Sequence, residues 1–349
     1  MTTKLRIAVA GAGAIGRRHI ALIEASPACE LAGIVDPAPA AAALANAAGV
    51  PLQPSLTALL ASGHVDGVIV ATPNALHVEH GLECIEARIA ALIEKPVAHT
   101  VAAGTRLRDA AERAGAAILV GHHRRHGAIM SRAREIIQAG TLGRLVAVTG
   151  SALFYKPDPY FSDAPWRTKA GGGPILINMI HEIDNLRMLC GEIVEVQAMA
   201  SNGTRGYPVE DTVAIAFRFA SGALGTFALS DTAASARSWE QTSRENAAYA
   251  SYSDEDCYLV AGTRGSLGIP TMRVRMYAAD EDRSWFRPMR RSVAAVADVD
   301  PLERQLAHFC AVIRGEAAPL ATVRDGLQNL RITEAIGRAA GTGRAVATI

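Results

Sequence analysis

The chain has 349 residues, 50% of them hydrophobic and 20% charged, enough to bury a large core and to divide into two domains. A formal net charge of +1 gives no electrostatic reason to expect nucleic acid or a membrane surface as a partner. The five cysteines, at 29, 84, 190, 257 and 310, never form a Cys-x-x-Cys pair and signal neither a disulfide framework nor a zinc site. They read as buried thiols in a reducing, cytoplasmic compartment, and no apolar run reaches the ~18 residues that spanning a membrane requires.

Leu5 to Ala10 reads as a short apolar strand that runs into Gly11-Ala12-Gly13-Ala14-Ile15-Gly16, a G-x-G-x-x-G turn, followed by helical spacing from Arg17 to Ala25. The glycines suit a tight turn, close approach of backbone to a pyrophosphate, and helix packing. The N–H groups of Ala14 and Ile15 open a helix whose positive end attracts the anion. A second strand, Glu30 to Val35, ends at Asp36, placed to accept hydrogen bonds from the adenosine ribose and to repel a 2′-phosphate. The expected cofactor is therefore NAD, with NADP disfavoured.

The alternation of strands and helices continues. Helices are predicted over 38–48, 55–61, 78–90 and 100–114, and strands over 65–70 and 116–120, with a further buried strand carrying Leu92-Ile93 into Glu94. Two strand ends carry candidate cofactor groups: Thr72, Pro73 and Asn74, with His77 on the next helix, and then Glu94-Lys95-Pro96. An ionisable pair at the carboxyl edge of a buried strand, halted by proline, is well placed to meet a substrate over the sheet. Gly121 opens His122-His123-Arg124-Arg125-His126, from which His123 and Arg124 are candidate substrate contacts. The arginines interleave with these histidines, and neither carboxylate nor cysteine stands at ligand spacing, so no metal is expected. Residues 1–121 are predicted to form a doubly wound parallel Rossmann sheet, and 122–349 a substrate-binding and oligomerisation domain.

The glycine turn, Ala71-Thr72-Pro73-Asn74, Glu94-Lys95-Pro96, Gly121 before Arg124-Arg125, and Gly171-Gly172-Gly173 followed by His181 and Asp184 together resemble the Gfo/Idh/MocA oxidoreductases. The resemblance covers essentially the whole chain. It implies a C-terminal α+β domain whose large, mainly antiparallel sheet mediates a homodimer or homotetramer, with the last helix a candidate to pack back on the first domain. It also implies hydride exchange between nicotinamide and a hydroxyl of a sugar or cyclitol. Lys95 is then expected to contact the reacting substrate and the nicotinamide ribose, Glu94 to lie beside the cofactor, and His181 to complete the acid/base site.

The second half supplies further candidates. The 154–168 loop contains Tyr155, Trp166 and Arg167, aromatic and cationic groups suited to the faces and hydroxyls of a sugar, and reads as a substrate lid. A helix is predicted over 175–190, with Asn178, His181, Asp184 and Asn185 along one polar stripe. Many members of the family the chain resembles carry an aspartate four residues before this histidine; here the position is Ile177, with Asn178 one place later, and Asn178 cannot take up a proton. Proton transfer then rests on His181, favoured as the base, or on Lys95, favoured for polarising the oxygen. Trp239-Glu240 is a further candidate contact to substrate or to a neighbouring subunit. Two alternatives stand beside the dehydrogenase: a redox-assisted glycosidase that regenerates NAD in each cycle, and a non-enzymatic NAD-binding regulator.

Overall fold

A computed structural model describes residues 3–349. By internal contacts the chain forms two units, one of residues 1–126 and 301–330, the other of 127–300 and 331–349.

The first unit alternates β1 (Leu5–Ala10), α1 (Ala14–Ala25), β2 (Cys29–Val35), α2 (Ala41–Ala48), β3 (Leu52–Gln53), α3 (Leu56–Ala61), β4 (Gly67–Val70), α4 (His77–Glu86), β5 (Ala90–Ile93), α5 (Val101–Ala114) and β6 (Ile118–Val120). Among the described residues the strands form a parallel six-stranded sheet in the order β3-β2-β1-β4-β5-β6. The central strands are apolar on both faces, as sheets covered by helices on each side require: Ile7 to Ala10, Val68 to Val70 and Ala91 to Ile93 are all fully buried. Ser55 and Thr100 cap α3 and α5 by accepting from the third amide beyond them. The chain doubles back from β3 to β4 on the other side of β1, so the topological switch lies between β1 and β4, where α/β sheets bind ligands. α4 stops at Glu86, four residues before the predicted end, because Arg88 turns left-handed (φ 57°) and Ala90 already pairs with Gly67 in the sheet.

The second unit opens with α6 (Ala128–Gln138) and continues with β7 (Leu145–Leu153), α7 (Asp158–Ser162), α8 (Ile180–Cys190), β8 (Ile193–Ser201), β9 (Thr212–Phe219), β10 (Leu224–Ser230), α9 (Trp239–Thr242), β11 (Tyr258–Gly262), β12 (Gly265–Ile269), β13 (Arg273–Met276) and β14 (Arg290–Val293). α10 (Pro301–Ile313) belongs to the first unit, as does α11 (Val323–Thr342) through Leu330, and β15 (Val346–Ala347) to the second. The nine-stranded sheet runs β14-β13-β12-β11-β7-β10-β9-β8-β15, antiparallel except for the parallel pair β7–β10. β9 alternates strictly, with Val213, Ile215, Phe217 and Phe219 buried in one core with Ile183, Leu186, Phe227, Tyr258 and Ile336. The opposite face carries exposed Val146, Leu224 and Leu259, with Met199 the most open at 77%.

All five cysteines are buried, and none is in a disulfide. Among the described residues no helix is long and apolar enough to cross a membrane. The β6 edge of the first unit is completed from far along the chain, where the Val120 amide donates to the Ala321 carbonyl at 2.8 Å.

Candidate active site

At the carboxyl end of β1 the three glycines of the turn answer to three different demands. Gly11 adopts φ +96°, and a Cβ there would come within 2.5 Å of the Ala71 carbonyl across the switch point. At Gly16 a Cβ would collide with the Gly11 carbonyl at 1.9 Å, so only glycine lets α1 seat on the turn. Gly13 has nothing within 4 Å of such an atom: its open side is where a diphosphate can approach the backbone. Asp36 follows β2 and is tied to the same turn, with Oδ2 accepting from the Ala12 amide at 2.7 Å and Oδ1 from the Ala38 amide at 2.8 Å. Each carboxylate oxygen can accept a second bond, so the ribose role and the anchoring role are compatible. These residues fit an NAD moiety.

His77 takes a different part from the one expected. It is 1% exposed, with Nδ1 2.7 Å from the Pro96 carbonyl and Nε2 2.8 Å from the Thr72 carbonyl, and so clips together the loops after β4 and β5. Thr72 Oγ1 lies 3.2 Å from His80 Nδ1, while Pro73 and Asn74 stand at the surface end of the same loop.

Glu94 is buried at the end of β5, its Oε1 2.9 Å from Nε2 of His19 on α1. Burial pushes the carboxyl up, but the hydrogen bond and charge of His19, with Lys95 and His123 adding, outweigh it and pull the pKa down to about 2. Gly121 presses on this carboxylate, since a Cβ there would lie 2.9 Å from both Cα and Oε2 of Glu94. Lys95 follows a partly exposed step later and joins Pro96 through a cis peptide. His123 sits half-buried on the turn after β6, where burial and then the Arg124 charge bring its pKa down to about 3; Arg124 itself is 4% exposed. The first unit thus gathers Gly11, Gly13, Gly16, Asp36, Thr72, Glu94, Lys95 and His123 on the loops after adjacent strands of one sheet edge.

In the second unit the 154–168 segment, expected as a loop, folds into α7 and a 3₁₀ turn over Pro165–Thr168. Tyr155 and Trp166 remain more than half exposed. Arg167 donates to the Tyr160 carbonyl at 2.6 Å and lays its guanidinium 3.8 Å from the Tyr160 ring centre. Arg205, for which the sequence offers no spacing signal, pins this segment. It bonds Asp231 Oδ1 at 3.0 Å and the Lys156 carbonyl at 2.7 Å, and stacks 4.3 Å over Phe161.

The predicted helix over 175–190 begins as a π turn, Ile175–Met179, before α8, a local widening frequent at functional sites. Its polar stripe divides. Asn178 and His181 are partly exposed, whereas Asp184 and Asn185 are buried and Asn185 donates to the Tyr258 hydroxyl at 3.0 Å. Tyr258 in turn donates to Glu182. Trp239 is likewise interior, 2% exposed with Nε1 bonded to Glu245 at 2.7 Å, which removes it from the candidate surface contacts. Lys156, one residue after Tyr155, reaches Asn178 instead, with Nζ donating to Oδ1 at 2.7 Å.

A parallel sheet with a pyrophosphate-shaped glycine turn, an acid at the second strand and a Glu-Lys pair at the fifth defines an NAD-binding oxidoreductase. Residues 5–122 match the model described as an oxidoreductase family with an NAD-binding Rossmann fold, and residues 130–268 that of the GFO/IDH/MocA C-terminal domain. The chain belongs to the Gfo/Idh/MocA oxidoreductase family. It is 31% identical over 296 residues to 1,5-anhydro-D-fructose reductase of Ensifer adhaerens, covering 83% of this chain and 82% of that one. With inositol 2-dehydrogenase 3 of Saccharopolyspora erythraea it shares 32% over 226 residues, 63% of this chain and 64% of the relative. Among solved structures, the WlbA dehydrogenase from Bordetella pertussis in complex with NADH and UDP-GlcNAcA matches with a TM-score of 0.77 at 25% identity over 99% of each chain.

Proposed function

We propose that this protein is a cytoplasmic, NAD-dependent dehydrogenase that interconverts a secondary hydroxyl and a ketone on a sugar, cyclitol or sugar derivative. The observation that carries the reading is the first unit's strand edge, where the Gly13 opening, the anchored Asp36 and Lys95 stand on neighbouring loops. Relatives named as an anhydrofructose reductase and an inositol dehydrogenase support the substrate class. The negative charge of Asp36 favours NAD over NADP, whose 2′-phosphate it repels.

Bound NAD supplies the hydride acceptor. The chain's own residues do the rest. The turn and the N-terminus of α1 hold the diphosphate, and Glu94, kept ionised by His19, fixes the backbone from which Lys95 projects. Lys95 polarises the reacting oxygen, and His181 takes the hydroxyl proton on oxidation and returns it on reduction. Exposed Val146, Met199, Leu224 and Leu259 on one sheet face support a homodimer or homotetramer formed through that face.

The test is absorbance at 340 nm with purified protein, NAD or NADP, and a panel of aldoses, cyclitols and sugar acids. NADH formed with one compound class, and little response with NADP, is the expected result. Silence across the panel with NAD bound would sink the substrate assignment.

A further inference from the structure

Lys156 stands where a cation is costly. It is 9% exposed, its ammonium lies 4.7 Å from the Tyr160 ring centre and 5.4 Å from that of Phe154, and burial lowers its pKa to about 8. The charged groups around it come from several elements: Asp231 after β10 and Glu240 on α9 favour the ammonium, while Arg167 and Arg205 oppose it. Asp231, at 3.8 Å, is already held by Arg205 through both its side chain and its carbonyl. The short polar contact of Lys156 is the neutral side chain of Asn178, at 2.7 Å.

An ammonium carries donors only, so the Asn178 atom facing it must be the amide oxygen. The NH₂ group then occupies the other fork of the amide. Asn178 is partly exposed and lies three residues before His181 on the same helical run. We infer that Lys156 is a positioning residue for the substrate: by holding Oδ1 of Asn178, it fixes Asn178 as a hydrogen-bond donor to an acceptor oxygen of the substrate. The departure at Ile177 and Asn178 thereby gains a chemical meaning. A carboxylate at position 177 would accept a proton or a hydroxyl hydrogen; Ile177 does neither, while the locked amide of Asn178, one residue on, offers N–H to an oxygen lone pair. The inference rests on the dehydrogenase reading of the same site.

Two measurements separate the fate of this inference from the fate of that reading. With the substrate found at 340 nm, Lys156→Met should raise KM about tenfold, the scale of one substrate hydrogen bond. NADH binding by fluorescence and the melting temperature should stay unchanged, the latter reporting an intact fold, and Lys156→Arg, still a pure donor, should restore most of the loss. The wild-type KM should climb as pH passes about 8 and Lys156 loses its proton, and this climb should vanish in Lys156→Arg. An unchanged KM in Lys156→Met, or a pH profile shared by wild type and Lys156→Arg, overturns the inference. The second measurement needs no substrate. In ¹⁵N-asparagine-labelled protein, the side-chain amide signal abolished by Asn178→Asp should titrate with a midpoint near 8 in wild type and stay fixed in Lys156→Arg. A signal that does not titrate in wild type overturns the inference even if no substrate turns over.

Discussion

His19 Nε2 and Glu94 Oε1 lie 2.9 Å apart with their side chains 2% and 7% exposed, so the acid next to the proposed reactive lysine is held from below by the first helix of the fold. Removing one partner of such a buried pair leaves the other charge stranded. His19→Ala should cost about 3–5 kcal/mol of stability, measured by urea unfolding at neutral pH. The sign with pH follows from the depressed folded pKa of Glu94. Its contribution is fully present above the ordinary value of 4.5 and disappears as pH falls toward about 2. In His19→Ala that acid-side loss should be absent or reversed, because burial without the His19 partner raises the Glu94 pKa.

His126 sets an earlier acid limit. Burial first, and then the charge of His308, whose ring centre is 5.1 Å away, lower its pKa from 6.5 to about 3. The unfolded chain therefore binds its proton more readily, and stability should decline as pH drops from 6.5 toward 3. His126→Phe should flatten that decline in thermal melts recorded across the range; a slope unchanged from wild type would refute the assignment.

The glycine turn offers a separation of binding from folding. Gly13→Ala adds a methyl into open space and should leave the melting temperature within a degree or two while weakening NADH at least tenfold. Gly16→Ala drives a methyl onto the Gly11 carbonyl and should lower the melting temperature itself. Isothermal titration with NADH beside calorimetric melting distinguishes the two.

Asp36→Ala should raise KM for NAD and narrow the gap between NAD and NADP by roughly tenfold, as a repulsive charge and a ribose acceptor are lost together. Because the same carboxylate holds the Ala12 amide, Asp36→Asn should bind NAD better than Asp36→Ala does. Initial rates with each cofactor decide the point.

His181→Ala should cut kcat by about 10²–10⁴ and change NADH affinity little, as expected when a proton-transfer group is deleted. Equal losses in both would remove His181 from the base role.

The first unit is largely legible in the sequence because its signals are local. Glycine spacing, a buried run and an acid at a fixed offset are each set by a few adjacent residues, and Ser55 and Thr100 mark helix starts by their own side chains. The failures have a common cause in contacts from far along the chain. α4 reads too long since Ala87 to Ala91 favours helix, while pairing with β4 claims Ala90 for the sheet. β14 is arginine-rich and β15 only two residues long, so each exists through its partner strand. Lys156 and Arg205 are lone cations without periodic company; their places emerge only when residues 156, 178, 205 and 231 meet. His77 looked like a cleft residue from its position after a strand, yet both ring nitrogens turn to backbone carbonyls.

The division of the chain also bears on how it is made. The sheet edge at Val120 is satisfied by Ala321, and β7 lies between β10 and β11, both of them synthesised later. During translation the N-terminal unit thus waits for residues that emerge after nearly all of its neighbour, and the central strand of that neighbour waits for residue 262. Completion of both sheets therefore depends on pairings of high sequence separation, which slow folding. A ribosome stalled before residue 301 would carry two unfinished units, and chaperone occupancy on such nascent chains should persist to that length.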